Sequence, residues 1–366
     1  MSPWLGDDEA QAVAEVVRDG WITEGRRAQE FSDALNRLIG TPYGVFAPNG
    51  TLALALGLMA LDIGPGDEVL MPDITFIGSA TAVHMVGAVP VLVDVDDQTF
   101  QIDMKRAGAC LTSRTRAIMP VHLFGTACDM TAVADFAARH KLAVIEDAAQ
   151  GIGVAFGGHH VGSLGDVGCF SFFADKTITT GEGGYVACKD RHVYDRLRLL
   201  RNQGRLDRGS FIHEAIGYNF RMTDLQCAIG LIQLTRLEQI ISRKAELLRR
   251  YQAGLRQVQA VRVLRPAPNA GHVPFRCVVM AKNVRALMKH LEAAGVETRS
   301  FFYPLHRQPG LRAWSASRID AAHLDDAAFP HANYGWDHGV CLPIQPTLAT
   351  ADVDFICETI AAFYGM

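Results

Sequence analysis

Between residues 44 and 188 short apolar segments recur at 44–46, 68–71, 91–93, 117–121, 142–146, 168–173 and 184–188, and helical stretches such as 130–140 separate several of them. This alternation limits the fold more than any other feature of the chain. Strands that are nearly all apolar are buried on both faces, and the intervening helices must cover those faces. The pattern therefore predicts an α/β fold with a mostly parallel central sheet between two helical layers.

The chain has 366 residues, more than a single core usually accommodates, so two domains are expected. Near the start, Asp7 reads as the cap of a helix through Val17 that Gly20 stops, and Gly50-Thr51 opens an apolar helix ended by Gly64-Pro65-Gly66. From residue 224 to about 258, Leu225, Ile229, Ile232, Leu237, Ile240, Ile241, Leu247 and Leu248 recur at three- and four-residue spacings, which predicts one long helix bridging the domains. A loop at 266–271, a strand at 273–280 and helices at 284–294 and 351–363 follow. The boundary is expected near residue 245, giving an N-terminal arm and large domain over 1–245 and a small α+β domain over 246–366.

A formal charge of −4 gives no global basic field, so nucleic acid is not an expected partner. The eight cysteines are dispersed without metal-ligand spacing, and reduced structural thiols rather than a metal site are expected. The start has no basic and apolar leader pattern, and the run 52–61 is too short to span a bilayer, so the expectation is a cytoplasmic protein without a membrane partner.

Lysine is scarce, with seven against 28 arginines, which allows each to be weighed. Lys105, Lys141, Lys189, Lys244, Lys282 and Lys289 have polar or charged neighbours and read as solvated. Lys176 follows an apolar strand and precedes Thr177-Ile-Thr-Thr-Gly-Glu-Gly-Gly, a run of small residues suited to close approach by a ligand. Burial there would lower its pKa, and a neutral amine is what attacks an aldehyde. Asp147 ends the strand 142–146 with Gln150 one turn later, at the carboxyl edge where ligands gather in open α/β sheets. A helix cap, a ribose-binding acid or a magnesium ligand would use the same position. Pro48-Asn-Gly-Thr51, including Gly50 and Thr51, opens a helix where an anion is favoured, although a plain cap looks alike. Phe76 could stack on a planar ring or belong to the core. Neither a dinucleotide nor a triphosphate glycine motif is present. An amine, an acid for a ring nitrogen, an aromatic face and a phosphate turn together match the needs of pyridoxal 5'-phosphate (PLP).

Over nearly its whole length the sequence resembles the DegT/DnrJ/EryC1/StrS family of PLP-dependent nucleotide-sugar aminotransferases. The match runs through Asn49-Gly-Thr51, Gly64-Pro-Gly-Asp-Glu-Val69, Pro120-Val-His-Leu-Phe-Gly125, Ile145-Glu-Asp-Ala-Ala-Gln150, Gly162-Ser-Leu-Gly-Asp166, the segment 170–184 around Lys176, and Gly217-Tyr-Asn-Phe-Arg-Met222. The resemblance implies fold type I of the PLP enzymes, with Lys176 linked to the cofactor as a Schiff base and Asp147 on the pyridine nitrogen. It further implies Gln150 at the ring hydroxyl, Phe76 stacked on the ring, and Thr51 and Ser171 on the phosphate. Asn219 would reach the phosphate of the other subunit, making the active unit a homodimer with a composite site. The segment 297–309 looks most like the perosamine synthase branch, which aminates C4 of a GDP-linked 4-keto-6-deoxy sugar. It offers Tyr303 and His306 as substrate contacts, each equally able to be structural. The chain departs from that branch at Ala174-Asp175, Leu311 and Ser32. A C3 aminotransferase and an aminocyclitol aminotransferase share these cofactor motifs. By analogy L-glutamate would be the donor, with Lys176 as acid and base. The related sugar dehydratases carry a histidine where Lys176 stands, which argues against that activity.

Overall fold

The structure is a computed structural model that describes residues 3–205, 209, 211–315 and 324–366. Its main sheet contains β1 (Tyr43–Ala47), β2 (Glu68–Pro72), β3 (Val89–Val93), β4 (Thr115–Ile118) and β5 (Ala143–Asp147). After a small ribbon of β6 (Ala155–Phe156) and β7 (His159–His160), it is completed by β8 (Val167–Ser171) and β9 (Gly184–Cys188). The order is β1-β9-β8-β5-β4-β2-β3, and β9 alone runs against the others. The expected mostly parallel α/β sheet is present. Because β2 and β9 are buried at every position, their apolar runs face helices on both sides.

Six strands therefore deliver their carboxyl ends to one edge of the sheet. Antiparallel β9 brings its first residue, Gly184, to that same edge, paired with Ala47 of β1 and Ser171 of β8. A Cβ on Gly184 would lie 2.3 Å from the Asn49 carbonyl oxygen, so glycine is required for the helix after β1 to approach. That helix, Gly50–Ala60, is capped by Asn49, whose Oδ1 accepts from the Leu52 N–H at 3.0 Å.

The second sheet is antiparallel, in the order β10 (Val261–Val263), β11 (Cys277–Ala281), β13 (Gly339–Leu342), β12 (Arg299–Ser300). Helices Leu237–Gly254, Val284–Ala293 and Thr350–Phe363 pack on it through Leu247, Tyr251, Leu287, Leu291, Val353 and Ile360. Each such side chain contributes roughly 1.5–3 kcal/mol on burial. The helix Leu237–Gly254 joins the two cores, with Leu237 and Ile240 in the first and Leu247, Leu248 and Tyr251 in the second.

Several sequence expectations change. Gly6, not Asp7, caps the first helix, Asp7–Asp19, and the Gly6 N–H donates to Glu9 Oε2 at 2.9 Å. The long helix is broken at Arg236 into Asp224–Thr235 and Leu237–Gly254, and the change from the first core to the second falls within the latter, between Ile240 and Leu247. The strand expected over 273–280 is regular only from Cys277. The helix Arg26–Ile39 went unread, although Ala28, Phe31, Leu35 and Ile39 mark its buried stripe between Gly25 and Gly40.

Candidate active site

A cavity of about 1010 Å³ opens where the carboxyl ends of β1, β2, β5 and β8 meet the second sheet. Gly50, Thr51, Phe76, Asp147, Gln150, Ser171, Lys176 and Tyr303 all line it. A cleft of about 1130 Å³ elsewhere, bordered by Lys105, Arg256, Arg262 and Arg265, shares none of these groups.

Asp147 is the last residue of β5 and is buried. Its Oδ2 accepts from Ser79 Oγ at 2.6 Å and its Oδ1 from the Ala149 N–H at 3.1 Å. These donors fix the carboxylate plane with one edge toward the cavity. Next to it Glu146 points away, fully buried, accepting from His122 Nε2 and from the backbone N–H groups of Gly162, Leu164 and Gly165 at 2.6–2.9 Å. Burial alone would raise its pKa, yet these donors reverse that and hold it below the usual glutamate range. Gln150 Oε1 accepts from the Phe124 N–H at 2.7 Å, holding Phe124 at a left-handed φ of 58° on the cavity wall.

Lys176 lies in the turn after β8, its own N–H donating to the Phe173 carbonyl at 2.9 Å. Its Nζ sits 4.7 Å from the centroid of the Phe275 ring. Burial lowers its pKa from the usual lysine value, Asp175 and Asp147 work against that, and Arg276 works with it. Asp175, next to Lys176, pairs with Arg276.

Glycines clear the floor of the cavity. A Cβ on Gly50 would lie 2.8 Å from Ser171 Cβ, and one on Gly78 2.8 Å from Thr51 Oγ1. Bare backbone at both positions leaves a cradle at a helix start between two hydroxyls, which suits a phosphate. With an exposed Phe76 ring, a fixed carboxylate and an amine of lowered basicity, the donor set fits PLP.

Two expected site residues are not on the cavity. His306 is fully buried, its Nδ1 at 2.7 Å from Asp73 Oδ2, its Nε2 at 2.8 Å from Asp326 Oδ1, and its ring stacked on Phe329. Both ring nitrogens are thus engaged, so His306 pins the segment carrying Tyr303 to the end of β2 rather than meeting a substrate. Asn219 is exposed and bridges Asn202, away from its own chain's cavity. Ser79, Phe124, Phe275, Arg276 and Arg299 were not singled out from sequence, and all border the cavity. Lys244 was read as solvated but is buried; the apolar i, i+3 and i+4 neighbours Ile240, Ile241, Leu247 and Leu248 carried that signal.

A mostly parallel seven-stranded sheet that brings a lysine and an anchored aspartate to the same cleft is the architecture of PLP-dependent aminotransferases. The model of the DegT/DnrJ/EryC1/StrS aminotransferase family matches residues 3–361, and the chain belongs to that family. It is 39% identical over 363 residues to the GDP-perosamine synthase of Caulobacter vibrioides, covering 96% of this chain and 94% of that one. Among solved structures it is similar to DesV of S. venezuelae, with a TM-score of 0.92, 31% identity and coverage of 98% and 94%. The PLP form of the putative sugar aminotransferase Spr1654 from Streptococcus pneumoniae gives a TM-score of 0.91 at 26% identity, covering 99% of this chain and 97% of that one.

Proposed function

We propose that this aminotransferase moves an amino group, with L-glutamate as donor, to C4 of a GDP-linked 4-keto-6-deoxyhexose. The likeness to GDP-perosamine synthase across nearly the whole of both chains supports the substrate class. The observation that carries the chemistry is that Lys176, in the turn after β8, and Asp147, at the end of β5, border one cavity. In this reading Lys176 bonds the cofactor, Asp147 holds the pyridine nitrogen, Gln150 neighbours the ring hydroxyl and Phe76 covers the ring face. Gly50, Thr51 and Ser171 hold the phosphate.

When bound, PLP supplies an electron sink that stabilises negative charge at the carbon bearing the amine. Asp147, its second oxygen occupied by Ser79, keeps a proton on the ring nitrogen. Lys176 Nζ would take a proton from the donor carbon and give one back, and burial, which lowers its pKa from the usual lysine value, favours the neutral amine that this needs. Tyr303, edge-on to Trp336 at 4.9 Å, offers an aromatic surface to the sugar.

The active unit in this reading is a homodimer in which Asn219 serves the partner's cofactor. The exposed Trp21, Phe211, Ile212 and Ile216 supply apolar surface for such an interface. Within each subunit the large and small domains divide near residue 245, inside the helix that joins the two cores. Lys176→Ala should abolish both the cofactor's visible absorbance and product formation, read by mass detection of the aminated nucleotide sugar. Retention of both would overturn the assignment.

A further inference from the structure

Beside Lys176 lies a small, partly open space of about 30 Å³, bordered by Lys176, Thr177, Asp175, Lys244, Phe275, Arg276, Gln233 and Gln345 among others. That volume suffices for one or two water molecules. Two of the polar atoms there, Thr177 Oγ1 and Gln345 Oε1, are buried without a hydrogen-bond partner. Lys244 reaches this space from the helix Leu237–Gly254, only 3% exposed, and donates a hydrogen bond to the Pro274 carbonyl at 3.1 Å. Its Nζ lies 6.0 Å from the centroid of Phe275, the ring that Lys176 Nζ approaches at 4.7 Å.

We propose that Lys244 is a positioning residue for the cofactor lysine: a second amine across Phe275 whose positive charge disfavours a proton on the Lys176 nitrogen. The inference rests on the assignment of Lys176 as the lysine that bonds PLP. The charges facing Lys244 are Lys176 and Asp175 from the turn after β8, and Arg276 and His272 from the segment before β11. Asp175 is the sole anion in that set, and it is paired with Arg276. On its own helix, Arg243 is turned toward Glu246 and the carbonyls of Pro346 and Leu348. Burial first, then Arg276, pull the Lys244 pKa down to about 7, so it carries its full charge only below that pH. A transaminase lysine must be neutral to accept a proton, and a neighbouring ammonium in a poorly solvated wall favours that state without touching the substrate.

The two nitrogens are at most about 11 Å apart, at which a unit charge acting through a protein interior shifts a neighbour by about one pH unit. The test is a pH titration of the holoenzyme's visible absorbance, which reports protonation at the cofactor-bound lysine nitrogen. In K244M the midpoint should rise, by up to about one unit where Lys244 is fully charged, and the acid limb of the kcat profile should move with it. K244Q, which keeps a donor for the Pro274 carbonyl, should show the same rise, and K244R, which carries a charge at every pH, should not raise the midpoint. If K244M and K244Q retain the chromophore with an unmoved midpoint, Lys244 is structural and the proposal fails. If neither folds, K244R decides alone, because a raised midpoint with the charge intact contradicts the account. Persistence of the chromophore in Lys176→Ala would instead overturn the assignment beneath it, so the two failures are distinguishable.

Discussion

Glu146 stays ionised in full burial because four donors converge on its carboxylate, and three of them belong to the segment 162–165 that it anchors against β5. Glu146→Gln turns an acceptor edge into a donor facing backbone N–H groups, and should cost about 3 kcal/mol in urea unfolding. A loss below about 0.5 kcal/mol would show that these bonds are not stabilising. Lys244 gives a sign-determined pH effect. Its folded pKa is about 7, against about 10.4 in the unfolded chain. Between those values the unfolded state binds more protons, so stability rises with pH across that window, and below it the full cost of a buried charge remains. The cofactor-free wild type should therefore gain several degrees of Tm relative to K244M between pH 7 and 10, and the two should keep a constant gap if Lys244 is not desolvated. Sequence reading found Lys176 and Asp147 because strand ends and lysine scarcity are local signals. It misplaced Lys244 because its immediate neighbours Arg243 and Glu246 are charged, while the apolar residues a turn away and its partner carbonyl at Pro274, thirty residues on, decide its burial.

At the scale of elements, the edge of the site depends on one antiparallel strand. Gly184 begins β9 and lies against the carbonyl of Asn49, the residue that caps the helix Gly50–Ala60. Gly184→Ala must push that helix start away from Ser171, and should weaken PLP binding at least tenfold, read by titrating cofactor absorbance into the cofactor-free protein. Unchanged affinity would mean that the helix start is not the phosphate cradle. The strands β1 to β5 were legible in sequence because each is an apolar run bounded by turn residues. The short strands β10, β12 and β13 were not, since two to four residues carry too little periodicity. The helix break at Arg236 was equally hidden, because the apolar spacing continues across it and Cys227, Leu237 and Ile240 on its two sides pack into the same core.

For the molecule as a whole, α/β class and cofactor type could be read from the chain, because alternation and motif spacing report topology and the strand edge directly. His306 could not be resolved, since its partners Asp73 and Asp326 lie 233 and 20 residues away in sequence. A homodimer should appear in light scattering at about twice the mass of the 39.9 kDa chain, and a monomer with full activity would remove the composite site from the account. Everything functional turns on which nitrogen holds PLP. Borohydride reduction of the holoenzyme followed by peptide mass mapping tests this directly, because it fixes the cofactor to the lysine that carries it. The account predicts the phosphopyridoxyl label on Lys176 alone, and a label on Lys244 or any other lysine would contradict it.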